Sequence, residues 1–230
     1  MTDAHFHRNV YETFLSVNGR EVRFHGLHPW QLGDCPDEAA PDRLPELRNR
    51  VEAVRAAVAA DSAAGVGEIG LDRLKTKTVP ALQRLAFSLQ LDVAAALGRP
   101  VVLHGAKCWG EVAKACAARR GRIPSFLFHG FSRSEGLLPD IYALNGFVSV
   151  GPAALNDHAV NYREMVKRLD LSRLLVETDA DVSAPAASDA TATPSARDVL
   201  LKVAEIRGMS ADELEAAVDA NAARFVEARA

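Results

Sequence analysis

The chain has 230 residues, of which 48% are hydrophobic and 25% are charged, and its formal net charge is -3. This length and balance fit one globular domain over residues 1–230 that buries its own core, and they exclude a disordered chain. The slight negative charge excludes a broad basic surface, so any contact with nucleic acid has to be local and assisted by bound cations.

The first segment with a clear pattern is Asp3-Ala4-His5-Phe6-His7, which we expect to form a β-strand. Side chains alternate along a strand, so His5 and His7 project from the same face. Two imidazoles at this spacing can bind one divalent cation, and Asp3 is placed either to orient a ring or to join the ligands. Taken alone, the motif is better explained as a half-buried strand with solvated histidines.

A β-hairpin is predicted next. Two β-rich runs, residues 11–17 and 20–29, flank the dipeptide Asn18-Gly19. This dipeptide favours a type I′ turn, because that turn requires a positive φ at both central positions.

Helices are predicted from apolar residues spaced three and four apart. The first covers residues 37–64 and ends at Gly65, and the second covers residues 79–97 and ends at Gly98. Shorter helical patterns cover residues 111–118 and 135–144, one more helix precedes Arg173, and two helices finish the chain.

Apolar segments alternate with these helices, at residues 66–72, 100–105, 125–131, 146–152 and 173–179. Continuous apolar runs are typical of parallel strands that are buried on both faces. Repeated βα units predict an α/β fold, and their number favours a closed TIM-type barrel over an open doubly wound sheet.

Polar residues stand at the C-terminal ends of these strands: His5, His7, Glu68, His104, His129 and Asp179. In a barrel those ends converge on one mouth. Each residue alone is compatible with a hydrogen-bonded histidine or a solvated loop charge, but burying all of them together without a cation would be costly. Nitrogen and oxygen ligands without thiolates suit zinc, manganese and other first-row ions better than calcium.

Cysteine usage and hydropathy bear on the cellular compartment. Cys35, Cys108 and Cys116 are odd in number and form no CxxC motif, so neither a disulfide framework nor a zinc-thiolate site is indicated. The first residues contain no apolar segment of the kind found in signal peptides, and no apolar run reaches the length of a membrane span. We therefore expect a cytoplasmic protein without membrane contact.

An ordered set of motifs is similar to the signature of the TatD-type metal-dependent hydrolases. These motifs are Asp3-Ala-His5-Phe-His7, Gly26-Leu-His28-Pro29, Gly67-Glu68-Ile-Gly-Leu-Asp72, Val102-Leu-His104, Phe128-His129-Gly-Phe-Ser132, Val148-Ser-Val-Gly151 and Leu175-Val-Glu177-Thr178-Asp179. The resemblance extends to Asn221-Ala-Ala-Arg-Phe225 and so covers nearly the whole chain. The resemblance implies a TIM-type barrel of the amidohydrolase-like superfamily. The characterised members of the TatD-type family are divalent-metal nucleases that act on DNA ends.

The resemblance also implies two divalent metal ions, which we expect to be zinc, manganese or magnesium. It assigns one metal to His5, His7 and Asp179, the other metal to His104 and His129, and the bridging position to Glu68. Asp179 would also accept the proton of the attacking water, so Glu68 and Asp179 are the candidate catalytic residues.

Substrate contacts are less sharply defined by the sequence. His28 matches a family position near the metals, and it is either a substrate contact or a histidine held in a turn. Arg73 and Lys107 stand where the family nucleases usually carry other side chains, and either can hold a phosphate. Trp30 and Trp109 are candidates for base stacking, with packing in the core as the alternative for each.

The chain between His7 and Gly26 is shorter than in the usual family member. We therefore predict a barrel trimmed in the second βα unit, with seven clear strands and an eighth that is antiparallel or missing. We expect a monomeric metal-dependent deoxyribonuclease acting on DNA ends or short oligonucleotides. A hydrolase of small esters, lactones or amides and a catalytically weak metal-bound binding module remain alternatives, and the aromatic content of 6% favours a small substrate.

Overall fold

The structure is a computed structural model that describes residues 1–9, 12–33, 37–75, 79–132, 135–182 and 194–228. Its eight strands form one sheet in which each strand pairs with the next along the chain. The strands are β1 (Asp3–Asn9), β2 (Glu12–Val17), β3 (Arg20–His25), β4 (Gly65–Asp72), β5 (Val101–Ala106), β6 (Phe126–Phe128), β7 (Gly146–Val150) and β8 (Leu174–Val176).

Helices occupy most of the connections between strands. The α-helices are α1 (Leu44–Ala60), α2 (Ala81–Leu97), α3 (Trp109–Ala117), α4 (Leu138–Ala143), α5 (Val160–Arg168), α6 (Ala196–Arg207) and α7 (Ala211–Glu227). Within the described part of the chain, no helix is long and apolar enough to cross a membrane.

Strand direction confirms the trimmed α/β barrel. β2 runs antiparallel to both β1 and β3, whereas every later pair from β3 to β8 is parallel. Seven strands therefore share one direction and the eighth opposes them. The reason is the length of the connection, because only residues 10 and 11 separate β1 from β2 and a parallel pair needs a crossover of a dozen or more residues.

The predicted hairpin is β2–β3. Asn18 and Gly19 have φ values of 51° and 77°, as a type I′ turn requires, and the register places Val17 opposite Arg20. Tyr11, the first residue of the predicted hairpin, lies outside the described residues, as does Cys35.

The barrel closes between β1 and the segment that follows β8. Asp179 N–H donates to the His5 carbonyl at 3.0 Å, His7 N–H donates to the Ala180 carbonyl at 2.7 Å, and Val182 N–H donates to the His7 carbonyl at 2.8 Å. This seam brings the end of the last unit against the histidines of the first strand.

The first helix is shorter than the predicted span of residues 37–64. Two short 3-10 helices, Asp37–Ala39 and Pro41–Arg43, precede α1, which starts at Leu44 with a proline in its first turn. Proline favours a helix start and disrupts a helix interior, so residues 37–43 cannot continue α1. The predicted end at Gly65 is also wrong, because α1 ends at Ala60 and Gly65 begins β4.

The two strands that carry Glu68 and His104 pack very closely. A Cβ atom placed on Gly70 would lie 1.9 Å from the carbonyl oxygen of His104, so no other residue fits without moving β5. All residues of β4 are buried, as is typical of a parallel strand covered on both faces.

The C-terminal motif has a structural role. Phe225 of α7 is fully buried against Phe24 and Phe147, and the Asn221 side chain donates to the carbonyls of Leu171 and Leu174 at 2.7 Å. These contacts fix α7 against the entry to β8.

Candidate metal centre

β1 presents its histidines as the alternation predicts. His5 and His7 face the barrel interior with their Nε2 atoms 3.1 Å apart, whereas Phe6 stacks on Phe14 of β2 behind them. Asp3 contacts neither ring, because its carboxylate accepts bonds from the Thr178 amide at 3.0 Å and the Thr178 hydroxyl at 2.7 Å. Asp3 therefore positions the segment that carries Asp179, which corrects its expected role beside the imidazoles.

A first group of ligand atoms surrounds one point beside β1. Glu68 Oε2 lies 3.4 Å from His5 Nε2 and 3.6 Å from His7 Nε2. Asp179 Oδ1 lies 3.5 and 3.6 Å from the same two nitrogens. Ligands that bind one four-coordinate ion at about 2.0–2.1 Å are roughly 3.3–3.4 Å apart, so these atoms fit a single divalent cation.

A second group surrounds the other oxygen of the same carboxylate. Glu68 Oε1 lies 2.6 Å from His104 Nδ1 and 2.7 Å from His129 Nε2. These are hydrogen-bond distances, shorter than the separation of two ligands on one ion, so this group is packed more tightly than the first. Both groups meet at Glu68, whose side chain is 3% exposed.

Asp72 is a member of the site that the sequence did not identify as functional. Its Oδ2 accepts bonds from His104 Nε2 at 3.1 Å and from the indole Nε1–H of Trp30 at 2.6 Å. Its Oδ1 accepts the backbone amides of Leu74 and Lys75. Asp72 therefore fixes the ring of His104 from behind, as a carboxylate often does for a metal-binding histidine.

Glu177 supports His129 from deeper in the barrel. Its Oε1 accepts the Gly130 amide at 2.7 Å and lies 3.6 Å from His129 Nδ1. The Ser149 hydroxyl donates to Glu177 Oε2. This carboxylate is held in place and faces His129 rather than the cleft.

His28 joins the cluster with a defined tautomer. The ring Nδ1 of His28 accepts the backbone N–H of Trp30 at 3.2 Å, and the backbone N–H of His28 donates to Gln31 Oε1 at 2.8 Å. These two bonds cap a short 3-10 helix at Pro29–Leu32. A neutral imidazole with an accepting Nδ1 carries its proton on Nε2. Since Nε2 lies 3.5 Å from Glu68 Oε1, His28 presents a donor to the cleft.

The charges of the cluster reinforce one another. Burial opposes the ionisation of Glu68, but the imidazoles of His129 and His104 outweigh it and hold the pKa of Glu68 well below its usual value. Burial likewise opposes charging His129, yet Glu68 raises the pKa of His129 well above its usual value. The pKa of His28 is lowered by burial, so this ring stays neutral.

A cleft of about 260 Å³ opens over the cluster and is lined by His7, His28, Trp30, Glu68, His104, His129, Asp179 and Asp181. A neighbouring cleft of about 410 Å³ shares His104, His129 and Asp179 with it and is also lined by Lys107. Lys107 therefore lies beside the cluster. The Arg73 side chain instead donates to the Lys107 carbonyl at 2.8 Å, so it supports the loop of Lys107.

The two tryptophans have different environments. Trp109 is 5% exposed and packs against Phe128 and Phe131, as the core alternative predicts. Trp30 is 46% exposed at the edge of the first cleft, so the core alternative is wrong for Trp30.

The family profile described as TatD related DNase matches residues 2–227. The chain belongs to the TatD-related DNase family. A 3'-5' ssDNA/RNA exonuclease TatD from Cronobacter turicensis is 30% identical over 209 residues, which cover 87% of this chain and 74% of that protein.

Solved structures show the same TatD fold. A TatD homologue from Escherichia coli (YJJV) is 24% identical with a TM-score of 0.64, over 87% of this chain and 74% of that one. An uncharacterized amidohydrolase from Saccharomyces cerevisiae is 14% identical with a TM-score of 0.65, over 88% of this chain and 80% of that one. The predicted TatD resemblance and the TIM-type barrel are thereby confirmed.

The structure brings the six predicted ligands of this TatD-family chain together in overlapping sets of three, and the ligand atoms of each set lie within 4.8 Å of one another. One of these sets contains His28 together with Glu68 and His104. The sequence did not reveal the contribution of Asp72, although its place in the Gly-Leu-Asp motif of β4 was a signal.

The pKa shifts predict how pH affects the metal-free protein. The pKa values of His7, His104 and His129 are raised above 6.5, so their contribution to stability is full below pH 6.5 and is lost as the pH rises through the raised values. His25 and His28 have lowered pKa values, so their contributions change with pH only below about 6.5 and leave this range unaffected. The Tm of protein in EDTA should therefore fall as the pH rises above about 6.5.

The Tm should be measured by calorimetry over the same pH range in EDTA and with saturating Mn²⁺ or Zn²⁺. Metal competes with protons for the imidazoles, so the Tm should stay level or rise over the same range. Glu68→Gln removes the carboxylate that raises the histidine pKa values, and it should flatten the EDTA curve. A Tm in EDTA that rises with pH would contradict this electrostatic account.

Proposed function

We propose that this protein is a divalent-metal-dependent nuclease that hydrolyses phosphodiester bonds in single-stranded DNA. The main support for the proposal is that the two oxygens of the Glu68 carboxylate contact different groups of ligand atoms. Oε2 faces the first group and Oε1 faces the second. A carboxylate shared in this way is the arrangement expected for a bridging ligand of a two-metal hydrolase.

Two metal ions fit these residues, and we propose zinc, manganese or magnesium. His5, His7 and Asp179 would hold one ion, His104 and His129 would hold the other, and Glu68 would bridge them. When bound, the ions supply Lewis-acid charge to the phosphoryl oxygens and lower the pKa of a water molecule. The first group already has the spacing of a coordination shell, and the ligand atoms of the second would need to move apart by about 0.7 Å.

Asp179 is the proposed proton acceptor. It reaches the cleft from the segment after β8, its side chain is 50% exposed, and its backbone adopts a φ of 52° that turns it toward the histidines of β1. Burial tends to raise the pKa of Asp179, but the hydrogen bond with His7 and the charge of His129 lower it, so the carboxylate is ionised and able to accept a proton.

His28 and Lys107 are the proposed contacts to the phosphate. His28 lines the cleft with its Nε2–H 3.5 Å from Glu68 Oε1, where it is suited to donate to a phosphoryl oxygen without carrying charge. Lys107 lies in the adjoining cleft with a left-handed φ of 56°, and Arg73 fixes that conformation through the Lys107 carbonyl. Arg73 is therefore proposed to act through Lys107.

The choice of a nucleic acid over a small ester rests on the relatives. The curated relative from Cronobacter turicensis acts on single-stranded DNA and RNA by its name, and it matches 87% of this chain. A net charge of -3 provides little general attraction for DNA, so local contacts and the metal charges have to hold the substrate.

The first test is cleavage of a 5′-labelled single-stranded oligonucleotide. Metal-stripped protein should be inactive, and activity should return with Mg²⁺, Mn²⁺ or Zn²⁺. Asp179→Asn keeps the size of the side chain but weakens its basicity, so we expect a loss of at least about 100-fold in kcat. Denaturing gels of the products measure both effects.

Two results would contradict the proposal. Cleavage that persists in EDTA would point to another reaction mechanism or a contaminating nuclease. Metal-loaded wild-type protein that leaves the oligonucleotide intact would direct the search for a substrate toward small esters and amides.

A second prediction concerns Lys107. Lys107→Ala should raise the KM for the oligonucleotide by about 3- to 10-fold, because one solvent-exposed charge contact is worth roughly 1 kcal/mol. The kcat and the metal content should not change. Lys114→Ala is the control, since this exposed lysine lies on α3 and lines neither of the two clefts. An equal effect of both substitutions would show general electrostatics rather than a local phosphate contact.

A further inference from the structure

We propose that Trp30 is the platform on which the base of the bound nucleotide stacks, an inference that rests on the proposed nuclease function. Trp30 is 46% exposed at the wall of the metal cleft, although a tryptophan without a binding role is usually packed. Aromatic rings at the edge of a charged groove are the usual means of holding unpaired bases.

The indole is rigidly oriented. Its Nε1–H donates to Asp72 Oδ2 at 2.6 Å, and Asp72 is itself 1% exposed and tied to the backbone of residues 74 and 75. A ring that is fixed in advance loses little side-chain entropy when a ligand stacks on it. The orientation of Trp30 is therefore compatible with a binding surface rather than a mobile surface side chain.

The position of the ring suits a base next to the reacting phosphate. The Trp30 ring centroid lies 4.8 Å from that of His28 and 6.2 Å from that of His104. Base and phosphate of one nucleotide are separated by a single sugar, so a phosphate at the cluster brings its base within reach of the indole. His104 and Trp30 also donate to the same oxygen of Asp72, so the platform and the metal ligand are fixed to one group.

Lys75 adds charge to the same wall of the cleft. Its Nζ lies 3.4 Å from the Trp30 ring centroid and so covers one face of the indole. Trp30 also lines the cleft beside His28. An aromatic ring with a cation beside it can accept a base and stabilise the neighbouring phosphate.

This assignment gives a structural reason for a single-stranded substrate. A base can stack on a side chain only when it is unpaired, so Trp30 favours single-stranded DNA over a duplex. It also explains how a chain with an aromatic content of 6% retains a base contact.

The test compares Trp30→Ala and Trp30→Phe on two single-stranded oligonucleotides. The two substrates differ only at the nucleotide that is to be cleaved at the metals. This nucleotide carries a base in one substrate and is abasic in the other. Trp30→Ala should raise the KM for the base-bearing substrate by roughly 5- to 100-fold and leave the KM for the abasic substrate within about twofold. Trp30→Phe, which keeps a ring, should lie between wild type and Trp30→Ala. Leu201→Ala is the control, because Leu201 is also 46% exposed but lies on α6.

A KM that rises equally for both substrates would overturn the stacking role, since the effect would then not depend on a base. The same conclusion would follow if Trp30→Phe and Trp30→Ala were both indistinguishable from wild type. Tm measurements on each variant separate these outcomes from a loss of folded protein.

Binding to Asp179→Asn separates this inference from the proposed function. The chain has two tryptophans, and Trp109 is buried, so stacking should quench the fluorescence of Trp30 alone. The base-bearing oligonucleotide should quench the fluorescence, whereas the abasic oligonucleotide should not, and the quenching should be lost when Trp30→Phe is introduced. This result supports the platform even if wild-type protein fails to cleave DNA. Cleavage by wild type without any base-dependent quenching in Asp179→Asn would overturn the platform and leave the nuclease proposal intact.

Discussion

The buried carboxylate of Glu68 is the constraint around which the structure is arranged. An ionised carboxylate that is 3% exposed is unfavourable unless opposite charges and hydrogen-bond donors surround it. Five imidazoles surround this group and the carboxylate of Asp179 lies beside two of them, so the cluster combines an internal charge balance with a donor set that suits divalent cations. The strong mutual pKa shifts of Glu68 and His129 show how closely the two depend on each other.

The barrel positions these side chains although its second βα unit is shortened. β2 takes the second place in the sheet as an antiparallel strand, which keeps the ring of eight strands without a complete second βα unit. Closure through His5, His7 and Ala180 then sets Asp179 opposite the histidines of β1. The absence of a side chain at Gly70 lets β4 and β5 approach, so Glu68 and His104 meet across adjacent strands. Local strand geometry thus determines the geometry of the metal ligands.

Much of this arrangement could be predicted from local patterns. Alternation in β1, the Asn18-Gly19 turn and the polar ends of apolar strands each depend on near neighbours in the sequence. Contacts between distant segments could not be predicted in this way. The hydrogen bond from Trp30 to Asp72 joins residues that are 42 positions apart, and the local sequence around either residue does not predict the contact. The same holds for Asp3, whose carboxylate binds Thr178 across the barrel seam instead of an imidazole.

The central claim is that Glu68 bridges two metal ions, and the most direct measurement is the metal content of Glu68→Ala compared with Asp179→Asn. Both variants should be loaded with Zn²⁺ or Mn²⁺, freed of excess metal and analysed by mass spectrometry of the elements, with circular dichroism to confirm folding. Wild-type protein should hold two ions per chain, Asp179→Asn should keep the ion at His104 and His129, and Glu68→Ala should lose both. A folded Glu68→Ala protein that retains two ions would contradict the account.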